Sequence, residues 1–181
     1  MIIPRDALPP APDGEPTAVD AIALDFDPPQ GCWFDARLVL PGQVEPLFLS
    51  DVFDPFPPML DWLRRIARGE AACLSIDQEG DVFDLAAEPA AAPGIVRLTA
   101  WADELKGDDF EHRLAFDIQI PARTLIAALY GGVLAIWEQP DSDTFWRRWH
   151  WIDNKDSPPG APCYRYDVRD AEIEAFLSGA P

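Results

Sequence analysis

DPFPPMLDWLRRIARGEAACLSIDQEGDVFDLAA, residues 54–87, is the stretch whose reading decides the fold. Asp54 stands before Pro55, Pro57 and Pro58, and proline suits a first helical turn because those amides have no intrahelical acceptor. An aspartate just ahead of them accepts from the free amides and sits at the positive end of the helix dipole. Met59, Trp62, Leu63 and Ile66 follow at helical spacing on one face, with Asp61, Arg64, Arg65 and Arg68 on the other. The late arginines and Gly69 mark the stop. Ala72, Leu74 and Ile76 then alternate with Cys73, Ser75 and Asp77, which is strand periodicity. Gln78–Asp81 is turn composition, with Gly80 free to take positive φ, and Val82, Phe83 and Leu85 form the return strand. The unit predicted is a helix followed by a β-hairpin.

Working outward, residues 1–17 are rich in Pro, Asp and Gly and read as an irregular arm, leaving 18–181 as one domain. Ile22, Leu24 and Phe26 make a first strand. Phe34, Ala36, Leu38 and Leu40 make a second, joined to it through Pro28–Gly31. Val44–Ser50 is a third, and Pro46 puts it at an edge or a bulge. Beyond the hairpin, Val96, Leu98 and Ala100 form a strand ended by Trp101 and Ala102, and Asp103 opens an acidic loop. Leu114, Phe116, Ile118 and Ile120 alternate as the next strand, which Pro121 breaks. From Ala122 to Glu138 the chain is apolar nearly all round, a helix to be buried against the sheet. Gly131 and Gly132 weaken that helix, so a close backbone approach or a kink is expected there.

The segment DSDTFWRRWHWID, residues 141–153, reads either as a helix capped by Ser142 or Asp143, or as a strand with Trp149 and Trp151 on one face. A Pro/Gly loop over 154–163 and a short helix within 167–177, closed by Gly179, complete the chain. The expected fold is α+β: a single domain with a mainly antiparallel sheet of about six to seven strands and two principal helices packed on one face.

The 32 acidic residues against 14 basic ones give a net charge of −18, which repels phosphate backbones and anionic membrane surfaces. Nucleic acid and membranes are therefore disfavoured as partners, and a basic protein is favoured. An apolar fraction of 48% is enough to build a core. Cys32, Cys73 and Cys163 are odd in number and scattered, as in a reduced thiol set rather than a disulfide framework. With no leader-like N-terminus and no membrane-length apolar run, the chain reads as cytoplasmic.

No phosphate loop, dinucleotide fingerprint, zinc-protease motif or nucleophile elbow is present. No catalytic residue, cofactor site or metal site is assigned. Asp25-Phe26-Asp27-Pro28 has the flavour of a calcium loop, but the prolines and the missing distal Glu spoil it. His112, near Asp108, Asp109 and Glu111, reads better as part of a solvated loop than as an acid–base cluster. The candidate partner contacts are the acidic residues Asp103, Glu104, Asp108, Asp109 and Glu111 and the segment holding Trp146, Arg147, Arg148, Trp149 and Trp151. Tryptophan and arginine are enriched at binding hot spots, although the same tryptophans also suit the capping of an open core end.

LDWLRRIARGEAACLSIDQEGDVFDL (residues 60–85), taken with LAFDIQIPARTLIAALY (residues 114–130), resembles a pattern in small bacterial proteins, some of them similar to the acidic immunity proteins of polymorphic toxin systems. That resemblance implies a non-enzymatic α+β protein that neutralises a toxin by binding it, and it carries no site residues. The functional expectation is a non-catalytic binder of a basic, toxin-like protein. Its alternatives are a small-molecule-binding or hydrolytic protein and a structural subunit or adaptor. The oligomeric state is left open.

Overall fold

A computed structural model describes residues 1–27, 33–106, 109–138, 142–150, 155–156, 158 and 166–179. Among them lie nine strands: β1 (Ile2–Ile3), β2 (Thr17–Ala18), β3 (Ala23–Phe26), β4 (Trp33–Leu40), β5 (Gln43–Ser50), β6 (Ala72–Asp77), β7 (Val82–Pro89), β8 (Ile95–Lys106) and β9 (Asp109–Pro121). Four α-helices accompany them: α1 (Phe56–Ala67), α2 (Ala122–Trp137), α3 (Ser142–Trp149) and α4 (Ala171–Ser178).

The fold is α+β, but the strands divide into two sheets rather than one. Six pair in the order β1-β6-β7-β8-β9-β2, and three in the order β3-β4-β5. All pairings are antiparallel except that of β2 with β9. Alternation identifies a strand without naming its neighbour, so the division was not readable from periodicity. The 103–111 region also differs from its expected form. β8 runs on to Lys106 and β9 starts at Asp109, with Asp103 opposite His112 and Glu104 opposite Glu111. Asp103, Glu104, Asp109 and Glu111 are thus strand residues with cross-strand partners, not loop residues.

The central unit forms as its residues dictate. Phe56, Met59, Leu60, Trp62, Leu63 and Ile66 are the buried side of α1. Trp62 buries its indole completely because Nε1 donates to Ala72 O at 3.0 Å, so the helix is tied to the strand it precedes. The β6–β7 turn uses positive φ at both Glu79 (63°) and Gly80 (144°), as primed hairpin turns do. Glu79 holds this left-handed backbone while its carboxylate accepts from Ser50 Oγ.

The front face of the larger sheet is apolar. Leu74, Ile76, Phe83, Leu85, Leu98, Ala100, Phe116, Ile118 and Ile120 share one core with α1, α2 and the inner face of the small sheet. Gly132 explains itself here: a Cβ on it would lie 2.6 Å from Leu24 O, so glycine lets α2 rest directly on β3. On the back face, the first residues run as a strap. They pair with β6 at one edge, pack Leu8 against Cys73, Ala86 and Trp101, accept from Arg97 at Pro12 O (2.8 Å), and pair with β9 at the other edge. α4 begins on Asp170, whose Oδ1 accepts from the amides of Glu172 and Ile173, both at 3.0 Å, and ends at Gly179 with φ 72°. Tyr130 of α2 locks it there. Its hydroxyl accepts from Asp170 N and donates to Glu174, and burial pushes its pKa up to about 12.

Candidate interaction surface

The residues singled out in the sequence fall into two places. Trp146 and Trp149 are 1% and 0% exposed, on the inner side of α3. Their rings meet Phe34 of β4 (4.5 Å from Trp149), Phe56 of α1 (5.9 Å from Trp149) and Trp137 of α2 (5.6 Å from Trp146). These indoles close the end of the core and are not exposed anchors. Arg147 is partly buried and Arg148 exposed on the outer side of the same helix. The acidic residues sit on the β8–β9 tip. Asp103 accepts from Val82 N at 3.0 Å and meets His112 Nδ1 at 2.6 Å, Glu104 pairs with Arg113 at 3.6 Å, and Glu111 is exposed. Asp109 opens β9. Asp108 and Trp151 lie outside the described residues, as do Cys32, Cys163 and the expected 154–163 loop apart from residues 155, 156 and 158.

Both histidines stand beside carboxylates. His112 bridges Asp103 and Asp84 (Nε2 to Oδ2, 3.4 Å), and Asp84 is buried in the back face. Burial pushes the Asp84 carboxyl up, against the downward pull of Ser75 and His112. His150 lies stacked on Trp146, 3.8 Å from Asp54. Asp54 accepts from Phe56 N (3.0 Å) and from the Tyr166 hydroxyl (2.5 Å), and burial again raises its pKa. Asp54 thus accepts from one amide of the first turn, as expected, although the N-cap position itself is Pro55 and carries no side-chain cap, and it also joins the end of α3 to the start of α1. Among the described residues no three His, Cys, Asp or Glu side chains are grouped to hold a metal ion. Of the calcium-like pair, Asp27 is engaged in two hydrogen bonds from Arg37 (2.5 and 2.8 Å), which hold its carboxyl below the usual range.

Exposed large apolar side chains concentrate elsewhere. Val44 and Phe48, 53% and 54% exposed, project from the outer face of β5, and Val52 and Phe53 follow at 60% and 43%. Pro46 lies between them on the same face, and β5 is an edge strand, the position proline requires. Register sets Val39 beside Val44, Arg37 beside Pro46 and Asp35 beside Phe48, with Asp25 on the far side of Arg37. Arg37 is therefore flanked by Asp25, Asp27 and Asp35, and all three carboxylates hold its pKa up. The face is an apolar strip bordered by net negative charge. Sequence reading missed it, although a signal was there: Val44, Pro46 and Phe48 are apolar at one parity and Leu47 and Leu49 at the other, with Glu45 the one charge, yet the run contains proline. A strand with two apolar faces is normally central, whereas proline demands an edge.

No protein-family model matches the chain, and neither a curated protein nor a solved structure matches it. No helix among the described residues is long and apolar enough to cross a membrane.

Proposed function

We propose that this chain is a non-catalytic acidic protein that binds a basic partner protein through the outer face of β3–β5, with neutralisation of a toxin-like partner as the sharpest form of that role. The observation that carries the reading is Phe48, more than half exposed beside Val44 and Pro46 and bordered by Asp25, Asp27 and Asp35. A large aromatic in a shallow apolar strip supplies the anchor of an interface, and the surrounding carboxylates supply steering toward a cationic surface. The net charge of −18 extends that steering over the whole molecule.

The test compares wild type with Phe48→Asp as baits in the same lysate, at low and at high salt. The expected result is a basic protein retained by wild type at low salt, weakened at high salt, and absent from the Phe48→Asp bait. Equal recovery on both baits overturns the assignment to this face. No salt-sensitive capture on either one removes the charged-binder reading altogether.

A further inference from the structure

A cleft of about 410 Å³ opens where the end of α1, the β7–β8 turn and the start of α2 meet, with Phe176 of α4 on its wall. Its size falls within the range of small-molecule sites. Ile66, Ala67, Pro89, Ile95 and Val96 make the lining apolar, and Arg123 and Glu70 are its two charged residues.

Arg123 is unusual in this molecule. Arg5, Arg37, Arg64, Arg65, Arg68, Arg97, Arg113 and Arg169 each hold a carboxylate. Among the described residues Arg123 instead donates to a backbone oxygen, Leu177 O, and has no carboxylate partner. In a chain with more than twice as many acids as bases, a guanidinium kept clear of carboxylates at the rim of an apolar cleft is an unspent anion receptor. The local field adds to it, since α2 begins beside Arg123 with neither a side-chain cap nor an acidic residue in its first turn.

We infer that this cleft binds a small carboxylic acid with an apolar body. The hydrocarbon would lie along Ile66, Val96 and Phe176, and the carboxylate would accept from Arg123. Glu70, at the α1 end, sets the orientation by repelling the same group. The inference is independent of the partner surface, which lies on β5.

The test is calorimetric titration of the full chain with decanoate, decanol and decylammonium. Decanoate should bind one to one, more tightly than decanol, and decylammonium should not compete. Arg123→Gln should weaken decanoate by about tenfold, the value of one charge-assisted hydrogen-bonded pair, and leave decanol unchanged. Ala92→Trp, an exposed lining position, should block all binding while the melting temperature stays at the wild-type value. Absence of decanoate binding at millimolar concentration overturns the proposal. So does preference for decylammonium, or binding that neither substitution alters.

Discussion

The two sheets of this protein are built from similar alternating strands and end up in opposite circumstances. The six-stranded sheet is covered on both faces, by helices and the small sheet in front and by the N-terminal strap behind. The three-stranded sheet is covered on its inner face, while its outer face presents Val44 and Phe48 to solvent. Phe34 and Phe48 make the contrast at the level of single side chains. Each is a phenylalanine in the same sheet, one 2% and the other 54% exposed. The first rests on Trp149, Phe145 and Phe56 and belongs to the stability of the fold. The second has no such enclosure, so the fold does not require it, and a large apolar side chain that the fold does not require is free to serve recognition.

The comparison breaks if the two sides of the small sheet respond alike to truncation. Trp149→Ala should cost about 3–5 kcal/mol in urea unfolding, because it empties the aromatic seam between α3, β4 and α1. Phe48→Ala on the open side should stay within about 0.5 kcal/mol of wild type. Equal losses would mean that the outer face is part of the core.

A sharper probe uses adjacent glycines at the contact between α2 and the small sheet. Gly132→Ala should destabilise by about 1–3 kcal/mol, since the new methyl meets the backbone of Leu24. Gly131→Ala meets nothing within 4 Å and should stabilise by up to about 1 kcal/mol through helix propensity. Opposite signs at neighbouring positions would locate the resting surface of α2 on β3.

The smallest effect concerns the back face and is a matter of pH. Asp84 has its pKa raised by burial and is faced by Ser75, His112, Asp103 and the amine of Met1. A raised folded pKa contributes stability that is present below the ordinary carboxylate pKa and is lost as pH rises through the folded value. Asp84→Asn should therefore melt above wild type at neutral pH, with the gap closing as pH falls into the ordinary carboxylate range. A gap that widens toward acid would show that His112 and Ser75, not burial, dominate the site.

What the sequence discloses follows from which physical signals are local. α1 and the β6–β7 hairpin were legible because prolines, one apolar stripe and a glycine turn each act within a few residues. Helix α3 was half legible: its tryptophans fit a helix or a strand, and only contact with Phe34 and Phe56 decides between them. The acidic tip was misread because charge suggested a loop. There, Asp103 has the Val82 amide and His112 as partners from other strands, and these make its place in a strand favourable. The division into two sheets depends on pairing between distant residues. Phe48 escaped notice for a related reason: alternation shows that a face exists, and only the assembled sheet shows whether anything covers it.

The strap joins the two edges of the larger sheet, and this fixes an order of events. Ile2 and Ile3 find their places only when Cys73 and Leu74 exist, and Thr17 must wait for Ile118. The strap is made earlier than either partner, and its contacts are among the most distant in sequence, the kind that form slowly. Its proline-rich, acidic character keeps this waiting segment from pairing with itself or with another chain. Once in place, it covers part of the free edge of each outer strand, Cys73–Leu74 on one side and Ile118–Gln119 on the other, so one segment limits the growth of the sheet at both ends.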